Sequence, residues 1–171
     1  MVNFEIATHK DIQVLALLGR ITYIESHAHF INNKEDLFEF CNNEFSVANI
    51  SKSFKENNVI YFIAYLNKLP VGYAKIALNK TFNNISNKDS CSLEKIYILS
   101  DFIPNKIGQP FLEYIIEQAK LYKASSIWLS VYHKNERAIK FYKKNNFVKI
   151  GELNFIVNNK KYNNLAFAKH F

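Results

Sequence analysis

"WLSVYHKNERAIKFYKKNNFVKIGE", residues 128 to 152, changes structural period twice. Its start belongs to the apolar, β-rich run "SIWLSVY", which reads as a buried strand. Asn135 then stands at the mouth of a helix that carries Ala138, Phe141 and Tyr142 on its inner side, and a new strand begins at Phe147. Just upstream, "SDFIPNKIGQPFLEYIIEQAK", residues 100 to 120, has the same shape. It follows the strand-like run "CSLEKIYIL", passes through a turn-forming stretch, and enters a segment with Leu112, Ile115, Ile116 and Ala119 at helical spacing. The spacing predicts a helix over 109–122. Two successive strand–helix units place the chain in the α/β class.

The flanking sequence extends this pattern. "NFEIA" reads as a short strand, and Thr8 with Asp11 forms a capping-box pattern before Ile12, Leu15, Ala16 and Leu18, a helix expected to run to about Tyr23. Asn33 is placed to cap a second helix bearing Leu37, Phe38 and Cys41, and Ser46 a third, shorter one. "VIYFIAYLNKLPVGYAKIAL" is a hairpin turning at Asn67-Lys68, and "FVKIGELNFIV" with "KYNNLAFAKHF" is a closing hairpin across Asn158-Asn159. Residues 80 to 90, "KTFNNISNKDS", read as a polar loop. With no repeat, low-complexity tract or linker, the chain reads as a single domain over 1–171, a mixed, mostly antiparallel central sheet flanked by helices.

Composition excludes several function classes. The net charge of +7 comes from scattered lysines with only Arg20 and Arg137 as arginines, so no basic stripe marks a nucleic-acid surface. No apolar run approaches the roughly 20 residues that cross a bilayer, and "MVNFEIATHK" has no apolar leader core, so no membrane partner is expected and a soluble, cytoplasmic protein is. Cys41 and Cys91 lie far apart without CxxC spacing, which fits a reducing compartment, and no His/Cys set completes a zinc site. No Ser-His-Asp or Cys-His constellation stands out.

The turn before the 109–122 helix is a candidate anion site. Backbone N–H groups of Asn105, Lys106, Ile107, Gly108 and Gln109 can converge at the helix start, where the dipole favours negative charge, and Pro110 sits where a missing donor costs little. An ordinary strand-to-helix connection fits the same residues.

At this point the chain resembles the GCN5-related N-acetyltransferases, from the first helix to the last hairpin. The match is strongest from Glu94 to Glu152. The family's Asn-x-x-Ala-x-x-Phe-Tyr-x-x-x-Gly-Phe pattern falls on Asn135, Ala138, Phe141, Tyr142 and Phe147, with Asn146 in the glycine's place. Asparagine tolerates the left-handed conformation that glycine supplies at a helix end. Of the family's Gln/Arg-x-x-Gly-x-Gly/Ala signature, falling on Ile103, Pro104, Asn105, Lys106, Ile107 and Gly108, only the final glycine is retained. The resemblance implies acetyl-CoA as cosubstrate and no metal. It implies cosubstrate contacts at Ile96, Tyr97 and Ile98, along 103–109, and at Asn135, Phe141, Tyr142 and Lys144. Within the family, "LEKIYIL" with "IWLSVYHKNERAIKFYKK" looks most like the bacterial spermidine/spermine acetyltransferases.

Acetyl transfer to an amine needs a base, a donor for the carbonyl oxygen and a donor for the leaving thiolate. Glu94 is the candidate base, acting through water, although a hydrogen-bonded strand carboxylate fits it as well. The resemblance implies a backbone N–H near Ile98 for the carbonyl oxygen. Tyr142 matches the family's tyrosine acid; the competing reading is a core aromatic on an amphipathic helix. The expected partner is a small-molecule amine, with a protein N-terminus or lysine as the alternative acceptor and a non-catalytic acyl-CoA-binding regulator as the alternative class. A monomer or homodimer is expected. Glu25, His27 and Trp128 are candidate acceptor-side residues, with a water-facing loop histidine and a core tryptophan as the competing readings. Glu25, Glu35, Asp36, Glu39 and Glu44 against the single Lys34 make residues 25–49 locally acidic, a charge that suits a polycationic amine.

Overall fold

A computed structural model describes residues 1–83 and 89–171. The polar loop expected over 80 to 90 falls in part outside the described residues. Seven strands hydrogen-bond in the order β1-β2-β3-β4-β5-β7-β6. They are β1 (Val2–Ile6), β2 (Val59–Leu66), β3 (Leu69–Leu78), β4 (Ser90–Ile98), β5 (Ser126–Tyr132), β6 (Val148–Val157) and β7 (Lys160–His170), and the helices are α1 (Ile12–His27), α2 (Lys34–Glu44), α3 (Val47–Ser53), α4 (Gly108–Leu121) and α5 (Glu136–Lys144). The sheet is mixed and mostly antiparallel: β4 and β5 run parallel, whereas β1 with β2, β5 with β7 and β6 with β7 are antiparallel. The expected fold class is therefore the observed one. By contact density the chain divides into two compact units, Met1–Ile76 with Lys95–Glu117, and Ala77–Glu94 with Gln118–Phe171.

In the first unit, strand alternation sends neighbouring residues of β2 to opposite faces. Phe62, fully buried, meets Tyr114 of α4 edge-on with centroids 6.0 Å apart, and Phe4 of β1 stacks on Phe111 of α4 at 5.1 Å. Tyr61, on the other face, stacks on Phe54 at the end of α3 at 5.1 Å. Helices thus cover both faces, and each aromatic so buried contributes roughly 2–3 kcal/mol. α1 packs on α2 and α3. A Cβ at Gly19 would stand 2.4 Å from the Phe45 ring, so only glycine permits that approach. The β2–β3 turn places Asn67 and Lys68 at φ 50° and 69°, the double left-handed geometry of a two-residue hairpin.

Two expectations change here. α1 continues one turn beyond Tyr23, to His27, and the Thr8 capping box opens a 3-10 turn at His9–Asp11 that leads into it. The turn-forming stretch after β4 takes 3-10 form over Ser100–Asn105, with Pro104 inside it, and ends at Lys106 with φ 57°. Asn33 and Ser46 cap α2 and α3 as expected, accepting from Glu35 N–H and Asn49 N–H.

In the second unit β5 pairs along its whole length with β7, from Ser126–His170 to Tyr132–Asn164. Its parallel register with β4 runs only from Ser90–Ser126 to Ser92–Trp128. β6 and β7 close across Asn158 and Asn159, both left-handed at φ 42° and 64°. Trp128 and Ala168 form a core cluster to which Phe82 and Ile150 add cover.

Candidate active site

The α5 helix of the second unit is capped at both ends by the residues that drew attention in the sequence. Asn135 Oδ1 accepts from Ala138 N–H at 3.1 Å, the N-cap bond. At the other end Asn146, at φ 63°, donates its N–H to Lys143 O at 3.1 Å, and Phe147 donates to Tyr142 O at 3.1 Å. That pair is a Schellman motif, and its usual apolar contact is the Tyr142 ring edge-on to Phe147 with centroids 5.6 Å apart. Asparagine therefore takes the left-handed position as expected. Tyr142 is buried, and burial pushes its phenol well above the ordinary tyrosine value, so the hydroxyl stays protonated. Phe141 is half-buried beside it at 5.4 Å, and Lys144 is exposed.

Two other candidates of this unit meet at Lys80. Its ammonium lies 2.6 Å from Glu94 Oε1, and its carbonyl accepts from the Trp128 indole N–H at 2.7 Å. The ion pair commits that carboxylate oxygen to Lys80. Trp128 is a correction: it is buried against Phe82 at 5.1 Å with its only donor committed, which makes it a core residue rather than an acceptor-side one.

The first unit holds the remaining candidates. Gly72 of β3 approaches the end of β4 so closely that a Cβ there would lie 2.5 Å from Tyr97 O and 2.3 Å from Ile98 Cδ1, and Leu99 N–H bonds Val71 O at 2.9 Å. β4 is thus fixed along Ile96, Tyr97 and Ile98. Along 103–109, Lys106 N–H donates back to Ile103 O at 3.0 Å, so that amide serves the turn rather than an anion. Ile107 is buried, while Ile103, Pro104, Asn105 and Lys106 are exposed. Gln109 Nε2 bonds Glu113 Oε1 at 2.7 Å. At Gly108, the first residue of the 14-residue α4, a Cβ would meet nothing within 4 Å. That open ground at a helix N-terminus fits a phosphate group.

Glu25 and His27 are placed differently from expectation. Glu25 accepts from Ser100 N–H at 2.9 Å and from Ser100 Oγ at 2.7 Å, capping the 3-10 turn. His27 is no loop residue. It ends α1 partly buried, stacked on Tyr23 at 4.1 Å and edge-on to Tyr97 at 6.0 Å, with Nδ1 2.6 Å from Ser26 Oγ. Burial holds its pKa down at about 4. Within the acidic stretch, Glu44 bonds Lys95 at 2.8 Å. Sequence reasoning missed Lys95 and Tyr73, whose stacking on Tyr97 at 5.9 Å has no signature beyond strand alternation.

Burial raises the thiols of Cys41 and Cys91 to about 11 and about 12, which leaves neither as a nucleophile. Among the described residues no group of three or more His, Cys, Asp or Glu is placed to hold a metal ion, and no helix is long and apolar enough to cross a membrane.

The family model described as "Acetyltransferase (GNAT) family" matches residues 23–147. An uncharacterized N-acetyltransferase in the pepI 3' region of Lactobacillus delbrueckii subsp. lactis is 19% identical over 162 residues, covering 95% of this chain and 93% of the relative. The crystal structure of the PaiA N-acetyltransferase of Thermoplasma acidophilum, in complex with coenzyme A, superposes with a TM-score of 0.75 at 15% identity, covering 100% of this chain and 99% of that one. The ribosomal-protein-S18-alanine N-acetyltransferase of Escherichia coli superposes with a TM-score of 0.72 at 14% identity, covering 99% and 94%.

Proposed function

We propose, from the premise that this chain belongs to the acetyltransferase (GNAT) family, that its acceptor is the primary amine of a small molecule and that Tyr142 donates the hydrogen bond that assists departure of the thiolate. The chain is an acetyl-CoA-dependent N-acetyltransferase of the GNAT type. Acetyl-CoA supplies the acyl group as a thioester already activated for attack by an amine. The observation that carries the Tyr142 role is a phenol held on a doubly capped helix and kept neutral by burial. A phenol less acidic than usual does not give its proton outright to a thiolate, whose conjugate acid has a pKa of about 8.5. It serves as a hydrogen-bond donor instead.

The proposed cosubstrate contacts are Ile96, Tyr97 and Ile98, the 103–109 stretch with Gly108 at its open end, and Asn135, Phe141, Tyr142 and Lys144. Ile98 N–H is the proposed donor to the carbonyl oxygen. Glu94, through water, is the proposed base, working against the pull of Lys80. We take residues 1–171 to act as one N-acetyltransferase domain, monomeric or homodimeric.

The polyamine reading rests on the acidic stretch, in which Glu25 is bonded to Ser100 and Glu44 to Lys95. Its support is the negative charge of the stretch as a whole, Glu35, Asp36 and Glu39 on α2 included. Spermidine therefore ranks with other small primary amines. A protein N-terminus is a second reading, favoured by the fold likeness to the S18-alanine enzyme. The test is thiol release from acetyl-CoA across a panel of spermidine, monoamines, amino acids and an alanine-ended peptide. Turnover with a small amine supports the proposal; turnover with the peptide alone, or binding of CoA without thiol release, overturns it.

A further inference from the structure

Within the first unit, the ends of α2 and α3 and strands β2, β3 and β4 line a cavity of about 150 Å³ that opens to solvent. A cavity of this size holds a group of roughly half a dozen non-hydrogen atoms. Its charged lining consists of Lys52, Lys75 and Lys95 against Glu44 and Glu56, an excess of one positive charge. Lys95 bonds Glu44 at 2.8 Å and lies 5.3 Å from the Phe45 ring centroid, and the Lys75 ammonium lies 5.7 Å from the Tyr61 ring centroid. Tyr73 also lines the cavity. Its side chain is 1% exposed, yet its hydroxyl has no hydrogen-bond partner. Its neighbour Tyr61, lining the same cavity, gives its hydroxyl hydrogen to Ser53 Oγ at 3.1 Å. A buried, unpaired hydroxyl is costly, and one kept in a folded protein calls for a partner such as a water, an ion or a ligand.

We propose that this cavity binds a carboxylate, one oxygen accepting the Tyr73 hydroxyl hydrogen and the other facing the lysine ammonium groups. Tyr73 OH has a hydrogen to donate, which a carboxylate oxygen accepts and an ammonium ion cannot. The single excess positive charge matches a monoanion rather than a phosphate dianion, whose second charge the two glutamates would repel. The carboxylate belongs either to the acceptor itself, an amine that also carries an acid group, or to a separate small acid. The binding does not depend on the acetyl transfer proposed above, so the two stand or fall separately.

Propionate is the probe, titrated calorimetrically into the intact protein at low salt, with propylamine and inorganic phosphate as comparisons. Saturable propionate binding is expected, weakened about tenfold or more by Tyr73→Phe and by Lys75→Met, because each removes one bond to a charged group. Tyr73→Phe keeps the ring and removes only the unpaired hydroxyl, so it should fold, with a thermal midpoint at or above that of the parent. If propionate binding is seen, competition with the amine in the thiol-release assay assigns the carboxylate to the acceptor, and a non-competitive pattern assigns it to a separate acid; both support the site. No saturable propionate binding, equal affinity in both variants, or tighter binding of propylamine or phosphate overturns it.

Discussion

Lowering the pH from about 7.5 to about 5 should remove about 2 kcal/mol of folding stability through His27 alone. The imidazole is stacked on Tyr23 with planes 9° apart, and desolvation is the main cause of its pKa of about 4 against an ordinary 6.5. The Tyr23 carbonyl pulls upward, while Lys95 and His29 add smaller downward pushes. Because the folded-state value is depressed, the unfolded chain binds more protons between the two values. The stability is therefore present above about pH 6.5 and drains as pH falls towards about 4. At about 1.4 kcal/mol per pH unit the whole gap is worth about 3.5 kcal/mol, of which about 2 is gone by about pH 5. Urea unfolding of the parent and of His27→Phe at both pH values measures it. The parent should lose about 2 kcal/mol more than the variant, which keeps a ring on Tyr23 but cannot titrate. Equal losses in the two proteins, or a folded-state His27 pKa of about 6 or above by NMR titration, would refute the reasoning.

Tyr142→Phe should lower kcat by about 10²-fold with little change in KM for acetyl-CoA; an unchanged kcat would leave Tyr142 a packing residue. Lys80→Met removes the ammonium from Glu94, so the acid limb of the kcat/KM profile should move to higher pH if Glu94 is the base, and an unmoved limb would exclude it. Gly72→Ala should destabilise by about 1–3 kcal/mol in urea unfolding, since the added Cβ meets the Tyr97 carbonyl and Ile98. Asn146→Gly should stabilise by about 0.5–1 kcal/mol, because glycine carries no side-chain penalty at that left-handed position; a loss of stability would contradict the C-cap assignment.

What could be read from the chain and what could not divide along physical lines. The hairpin turns at Asn67-Lys68 and Asn158-Asn159 were legible without any glycine because asparagine flanked by β-rich runs is a local signal. The caps at Asn33, Ser46 and Asn135 were legible for the same reason. The last turn of α1 was not, since Glu25, Ser26 and His27 carry no apolar period, and what holds His27 is a ring stack four residues back. The 3-10 turn over Ser100–Asn105 escaped because three-residue periodicity needs more length than six residues provide. Lys80 meets Glu94 from 14 residues away and Trp128 from 48, separations over which no pattern in a single chain reports contact. Charge counting is silent on contacts in the same way, since composition does not show that Glu25 caps a turn and Glu44 holds Lys95.

The α5 motif separates what folding explains from what is left over. Asn135 is accounted for by the bond it accepts from Ala138, and Asn146 by its left-handed backbone. Phe147 is accounted for by the amide it donates to Tyr142 O and by its ring contact. The partner in that contact need only be a ring, so a phenylalanine at 142 would close the Schellman motif equally well. A hydroxyl there adds a desolvation cost that phenylalanine would avoid. The helix and its caps make no use of the hydroxyl, whereas the proposed part in acetyl transfer does. The comparison with Tyr142→Phe can therefore come out in opposite directions for the two properties, with stability kept or gained while turnover falls. A variant that lost stability and kept turnover would reverse the assignment.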